Sequence, residues 1–275
     1  MQFGAITWNL FSGRDFPPDR SLYTRRSLLL GTEERGDTHL QVNRDLLDEF
    51  ASVLSANRWD VALLQECPPR WASSLAAACG AEMHRSLTAR NWLAPVRSAI
   101  ARRNPDLMGS WGGGSNLTLV RPGVLGPISE RREAMLRRWP ERRKAALTSI
   151  EPGIWVANLH SSGRLDRAGP DLRRAVEATL RLAGDGPILV GGDLNLRPGQ
   201  TDLYDELAER LRLAAPTSPG SLDHLLVRGL EAIQPSRTWA PSEREIPFDG
   251  LAIRLSDHAP VDARFDLPAP DAPAN

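Results

Sequence analysis

Six short polar stretches close apolar runs in this 275-residue sequence, and their side chains are of the kind that hold hard cations and move protons. Asn9 follows the first run in ITWNL, and Glu66 follows the second in ALLQEC. His160 ends VANLHSSG, while Asp193 and Asn195 end ILVGGDLN. Asp223 lies in SLDHLLV, and Asp257 and His258 lie in LSDHAPV. Taken singly, each has an ordinary explanation: a strand-end Asn or Asp usually caps a turn, a lone Glu is solvated, and a lone His is hydrogen-bonded structure. Together they form a set of carboxylates, amides and imidazoles without a cysteine cluster. That is the donor set of an oxygen-ligated cation and of phosphoryl chemistry. Mg²⁺ takes only one or two protein carboxylates, and Glu66 supplies one. Asp193 and Asn195 are two residues apart, so they share a side if strand geometry persists. The imidazoles of His160 and His258 can then handle a proton and phosphate charge.

These residues need strands to present them. Phe3 to Trp8 reads as a short buried strand and Val61 to Leu64 as a second. Between them, Leu46, Leu47, Phe50, Val53 and Leu54 recur at helical spacing within a helix expected over Leu40 to Leu54. Arg70 to Cys79 reads as another helix, stopped by Gly80. Asn116 to Arg121, Ala145 to Ile150 and Ile154 to Leu159 are short strands separated by Gly and Pro, a pattern of antiparallel meanders. A helix through Leu172, Ala175, Val176, Leu180 and Ala183 precedes the strand Pro187 to Val190. A further helix near Leu203 to Leu211 and strands around Leu222 to Val227 and Pro260 to Phe265 follow. Helix-flanked strands at both ends with meanders between fit two stacked sheets covered outside by helices. One domain over 1–267 with a Pro/Ala-rich tail over 268–275 is expected, and Ser86 to Trp111 reads as an extended loop over the active face.

Bulk composition narrows the class. Acidic and basic residues balance at 34 each, so net charge provides no global pull towards nucleic acid or an anionic membrane. Lys144 is the only lysine. Cys67 and Cys79 are too few for a disulfide framework. No apolar run approaches the roughly 20 residues that span a bilayer, and the start lacks the basic and apolar regions of a secretory signal. A cytoplasmic monomer is the expectation.

Asn9, LLQE, NLH, GGDLN, LDHLL and SDHAPV, in this order, resemble the motifs of the endonuclease/exonuclease/phosphatase superfamily, which includes DNase-I-like nucleases, sphingomyelinases and inositol-polyphosphate phosphatases. The resemblance runs from Asn9 to about Val261, and the GGDLN and SDH pair is its most specific part. It implies a four-layer α/β/β/α sandwich of two packed mixed sheets and a Mg²⁺ (or Mn²⁺) cofactor. It further implies Glu66 as principal metal ligand, supported by Asn9, with His160 and Asn195 on the substrate phosphate. Asp193 would position or deprotonate the water, Asp223 would orient His258 as general base, and Asp257 would assist the metal or His258. One departure stands out. Repair-type members carry a functional tyrosine between the Glu and His motifs, and the two tyrosines here, Tyr23 and Tyr204, lie elsewhere.

The reading is therefore a divalent-metal-dependent hydrolase acting on a phosphodiester substrate, nucleic acid among the classes admitted. The alternatives are a phosphatase or sphingomyelinase-like lipid phosphodiesterase on the same site and, after them, a non-catalytic binding protein. A lipid substrate would favour an exposed apolar hairpin, and none is recognisable. The Arg-rich stretch Glu130 to Lys144 could line a nucleic-acid groove; the simpler expectation is a solvated helix or loop face with Trp139 packed on the body. WGGGSN at Trp111 to Asn116 reads as a turn, and His224, beside Asp223, is the competing histidine.

Overall fold

The computed structural model describes residues 1–88, 93–108, 114–211 and 220–268. The chain opens with β1 (Gln2–Asn9), the short helix α1 (Arg25–Leu30), a small ribbon of β2 (Glu34–Arg35) and β3 (Leu40–Gln41), and helix α2 (Leu47–Ala56). Next come β4 (Val61–Cys67), α3 (Ala72–Ala78), β5 (Glu82–Leu87), α4 (Ala94–Arg103), α5 (Pro105–Met108) and β6 (Ser115–Val120). A meander of β7 (Ile128–Arg137), β8 (Arg143–Ile150) and β9 (Ile154–His160) leads into α6 (Leu165–Ala183), β10 (Ile188–Asp193) and α7 (Leu203–Leu211). The chain ends with β11 (Asp223–Arg228), β12 (Glu231–Thr238), a ribbon of β13 (Glu245–Phe248) and β14 (Leu251–Arg254), and β15 (Val261–Asp266).

Six strands form one sheet in the order β12-β15-β1-β4-β6-β5, and five form the other in the order β11-β10-β9-β8-β7. Each has a single parallel pair, β1 with β4 and β9 with β10, among antiparallel neighbours. A parallel pair needs a crossover, and α2 and α6 supply it. Ile6, Trp8, Ala62 and Leu64 turn outward to pack with Phe50 and Leu54 of α2 and Leu75 of α3. In the other sheet Ala157, Leu159 and Val190 turn outward to pack with Leu172 and Val176 of α6. Between the sheets lie Phe3, Ala5, Val61, Leu63, Val120, Val156, Leu189 and Leu225. Side chains alternate along each strand, so one face of every central strand meets helices and the other meets the opposite sheet, the four layers expected.

That inter-sheet layer changes character along its length. Beyond the apolar end, the inward positions become Thr7, Gln65, Asn116, Thr118, Thr148 and Asn158, all buried. Burying such groups is costly unless they are paired. Gln65 Nε2 accordingly donates to Asn158 Oδ1 at 2.8 Å and to Thr7 Oγ1 at 3.1 Å, joining the two sheets. His84 Nδ1 lies 2.9 Å from Thr148 Oγ1 in the same band. Burial, helped by the charge of Arg131 and opposed by Glu133, pushes the His84 pKa down to about 4. The unfolded chain takes up this proton near pH 6.5 and the folded one does not, so stability declines as pH falls from about 6.5 towards 4. His84→Gln is expected to remove roughly 2 kcal/mol of the stability lost between pH 7 and about pH 5. Denaturant titrations at both pH values check this, and an unchanged difference would assign the slope to other groups.

Several expected elements differ. Leu40 belongs to a ribbon strand and not to the following helix, which starts at Leu47. In place of the loop expected over Ser86 to Trp111, the described part of that stretch ends a strand and forms α4 and α5. The basic stretch Glu130 to Lys144 is mostly the edge strand β7 and its turn into β8, not a helix or loop face. Trp139 is 73% exposed there, contrary to the packing expected of it. Its neighbours are paired, Arg131 with Glu82 at 3.3 Å and Arg143 with Glu141 at 3.2 Å, as suits a charged edge that resists further pairing. The tail beyond Pro268 and Trp111 to Gly113 of the glycine-rich turn lie outside the described residues.

Candidate active site

In open α/β sheets, ligand sites collect beyond the carboxyl ends of parallel strands. Here both parallel pairs end at the same edge of the sandwich. Asn9 ends β1, Glu66 lies one residue from the end of β4, His160 ends β9, and Asp193 ends β10. The pleat does the rest: Asn9 continues the inward row of Ala5 and Thr7, and Asp193 continues that of Leu189. In register, Asp193 stands between His160 on β9 and Asp223 on β11. Thus four strand ends from two sheets aim polar side chains into one space.

Local backbone devices refine the aim. One extra residue of β4 bulges out between Leu64 and Cys67, and Glu66 there has a left-handed φ of 48°. Such a bulge re-aims a side chain, and Glu66 leaves the ladder, half-buried, towards the site. Gly192 explains the double glycine before Asp193, because a Cβ there would lie 1.9 Å from Leu159 O. Asn195 and Ser256 also adopt positive φ, at 52° and 60°. Non-glycine residues in this region cost energy and collect where function demands them.

Asp193 Oδ2 is the hub. It accepts from Asn9 Nδ2 at 2.9 Å and lies 3.4 Å from His160 Nε2 and 3.8 Å from His258 Nε2. Its partner oxygen, Oδ1, accepts from Asn195 N at 3.2 Å, and Asn195 Nδ2 donates to Ser161 O. His160 Nδ1 is 3.8 Å from Glu66 Oε1, and Ser12 Oγ donates to Glu66 Oε2 at 3.2 Å. His258 Nδ1 is 2.7 Å from Asp223 Oδ2. Asp257 is the exception: its side chain is exposed, and it reaches the group only through its charge on His258. His224 is removed from contention, since it is fully buried on the other face of β11 with Nε2 against Leu196 O at 2.9 Å. Cys67 is buried packing, its thiol pushed up to about 12 by burial.

The electrostatics sort the two histidines. Burial, with Arg143 and His258 adding to it, holds His160 well below the usual imidazole range and therefore neutral. Burial acts the same way on His258, but the carboxylates of Asp223, Asp193 and Asp257 outweigh it and raise its pKa to about 10. Burial and then repulsion from Asp223 raise Asp193 to about 7. Asp193 and His258 lie close enough for the protonation of each to depend on the other.

Three structural contributors were not among the expected site residues. Ser256 Oγ donates to Asn9 O at 2.6 Å and accepts from His258 N at 3.0 Å, tying the first strand end to His258. Gln65 and Asn158 bridge the sheets beneath the site. All three sit inside the quoted motifs SDH, LLQE and NLH, and for Gln65 and Asn158 the signal was a polar residue at an inward position of an apolar strand.

A divalent cation fits this donor set. One atom each of Asp193, Asp223 and His258 lies within 4.8 Å of the others. Asp223 Oδ1 is buried and without a hydrogen-bond partner, and Glu66 has one light commitment, to Ser12. The carboxylate oxygens of this set suit a hard divalent cation.

Comparison with known proteins agrees with this geometry. The profile of the Endonuclease/Exonuclease/phosphatase family matches residues 6–258. A family member from Bacteroides thetaiotaomicron superposes with a TM-score of 0.62 at 15% identity, over 96% of this chain and 97% of that one. A mannosyl-6-phosphatase of the same organism gives 0.60 at 15%, over 96% and 99%. TDP2 from C. elegans gives 0.58 at 13%, over 96% and 75%. Among curated proteins no sequence match was found. With both the motif-bearing strand ends and the profile spanning nearly the whole chain, the protein belongs to the Endonuclease/Exonuclease/phosphatase family, whose members hydrolyse phosphoester bonds.

Proposed function

We propose that this protein is a divalent-metal-dependent phosphodiesterase in which His258 is the general base. The observation that carries the reading is the Asp223–His258 pair, held at 2.7 Å with the free Nε2 turned towards Asp193. Asp223 fixes the Nδ1–H tautomer, which leaves Nε2 to accept the proton of a water attacking phosphorus. Asp193 Oδ2, 3.8 Å away, can contact the same water and align it. Neutral His160 and the Asn195 amide donate hydrogen bonds to phosphate oxygens, and those bonds strengthen as charge builds in the transition state. The leaving alkoxide departs as the water oxygen bonds to phosphorus, and the abstracted proton rests on His258. Glu66 would be the principal ligand of Mg²⁺ or Mn²⁺, with Asp193 and the amide of Asn9 beside it, while exposed Asp257 would act only through its charge on His258. When bound, the cation supplies Lewis-acid stabilisation of the phosphate charge. Asp223 and His258 are less apt as ligands, because a cation between them would break the hydrogen bond that defines the base. Asn9 acts first through Asp193, since its amide oxygen already accepts from Phe11 N at 2.9 Å.

A diester is favoured over a monoester on charge. The site is lined by Glu66, Asp193 and Asp223, and Arg143, the cation whose field reaches His160, is paired with Glu141. A monoester dianion brings an extra negative charge that finds few cations to meet it. The test is a panel with Mg²⁺, Mn²⁺ or chelator: duplex and single-stranded DNA, RNA, bis-p-nitrophenyl phosphate, p-nitrophenyl phosphate and phospholipids. Diester cleavage is expected to exceed monoester cleavage, and His160→Ala is expected to lower kcat/KM by about 10²-fold, as loss of one transition-state donor does. Monoester turnover far above that of every diester would replace this reading with a phosphatase.

A further inference from the structure

Seven of the fifteen exposed large apolar side chains among the described residues fall on α1 and the adjoining 93–108 segment. Leu28, Leu29 and Leu30 end α1, with Leu29 65% and Leu30 72% exposed. Val96 and Ile100 stand out of α4, and Leu107 out of α5. The other eight are scattered along the chain, which is ordinary; a concentration of this kind marks an interaction surface. The two parts are one platform. Asn104 Nδ2 donates to Leu28 O at 2.9 Å. Asn43 joins them from beneath, its Nδ2 donating to Ser27 O at 2.8 Å and its Oδ1 accepting from Asp106 N at 3.1 Å.

Charge identifies the occupant. α1 reads RRSLLL and α4 reads APVRSAIARR, five arginines and no acidic residue, in a chain whose acidic and basic residues balance. Arg25, Arg26, Arg102 and Arg103 are exposed beside the apolar side chains. A second copy of the chain would have to bring like charge onto like charge. Exposed apolar side chains beside arginines on short helices match an interface of apolar acyl chains beneath anionic headgroups.

We propose that α1 and the α4–α5 segment form a docking surface that seats the protein on an anionic phospholipid bilayer. The surface adjoins the active site through one stretch of chain: Ser12 holds Glu66, and Arg14 Nη1 lies 3.8 Å from Asp106 Oδ1 of α5. Seating would therefore bring the strand-end cluster to the headgroup level, where phosphodiesters are dense. The apolar anchor is a set of three neighbouring helices and not a hairpin, which is why no hairpin pattern signals it. Among the described residues no helix is long and apolar enough to cross a membrane, so docking would be peripheral.

The test is co-sedimentation of the full chain with vesicles of phosphatidylcholine alone and with about 30% phosphatidylserine. Binding is expected only to the anionic vesicles, falling steeply as salt rises from about 0.1 to about 0.5 M. Leu29→Ser with Leu30→Ser, and separately Arg25→Gln with Arg26→Gln, should each weaken it about tenfold or more. These side chains are exposed, so melting temperature and turnover of the soluble diester bis-p-nitrophenyl phosphate should stay at wild-type values. That control separates the docking surface from the catalytic reading, since either can fail alone. Absent or equal binding to both vesicle types would overturn the proposal. So would a self-association in solution that the leucine variants abolish while vesicle binding is lacking.

Discussion

Glu66→Gln is expected to abolish measurable turnover of a diester, lowering kcat by roughly 10³-fold or more, the size of losing several kcal/mol of charge stabilisation. The substitution keeps the shape and the hydrogen bond from Ser12, which an amide oxygen can still accept, so the fold should hold. What it removes is the negative charge by which this position would hold a cation. The bulge turns Glu66 out of the ladder, and its positive φ is a local cost of the kind that collects at functional sites. Two measurements distinguish a ligand from a merely structural residue. The half-saturating Mg²⁺ or Mn²⁺ concentration should rise in the variant, and the melting temperature, which in the wild type should increase with added cation, should respond less. Wild-type turnover in excess chelator, or a variant with unchanged cation dependence, would remove Glu66 and the cation from the mechanism.

The strands that carry the site were legible because two periodicities coincide there. Apolar runs such as Val61 to Leu64 and Ile188 to Val190 are buried on both faces, a signature that survives without knowledge of partners. The polar residues that follow then mark the approach to the strand end, and that is where Glu66 and Asp193 lie. Asp257 shows the limit of this reasoning. It shares a motif with His258, yet lies outside a strand, and no periodicity says which of two neighbours turns inward. Connections were less legible for the same reason. Leu40 extends the helical spacing of Leu46 to Leu54 by coincidence, but it pairs in a ribbon, with His39 bridging to Ala252 far away in sequence. In Glu130 to Lys144, alternating charge reads as a solvated surface, and an edge strand is such a surface, so composition could not separate the two. The leucines of α1 look like core to any hydropathy argument. Only the packed structure shows that Leu29 and Leu30 face away from everything around them.

Removing the carboxylate behind the base should lower activity and move its pH dependence together. Asp223 touches Nδ1 of His258 at 2.7 Å, and its charge is the largest of those that raise the His258 pKa to about 10 against the opposing effect of burial. A base must be neutral to accept a proton, so kcat/KM should rise with pH until the imidazolium is titrated. A bound cation or substrate phosphate will move that limb, but the direction of the Asp223 contribution is set by its sign. Asp223→Asn removes an anion that favours the imidazolium; the pKa falls, and the acid limb should shift to lower pH even as the plateau drops. His258→Ala should cost on the order of 10²–10⁴ in kcat, the usual range for a general base. The double variant should be scarcely worse than His258→Ala alone, because Asp223 has nothing left to orient. The competing possibility is Asp193, itself raised to about 7 and 3.8 Å from the same imidazole. If Asp193 were the base and His258 only a cation holding the phosphate, Asp223→Asn would lower the limb too, because repulsion from Asp223 helps raise the Asp193 pKa, so the double variant and not the limb separates the two. Additive losses in the double variant would therefore take the pair out of the proton transfer and pass that role to Asp193.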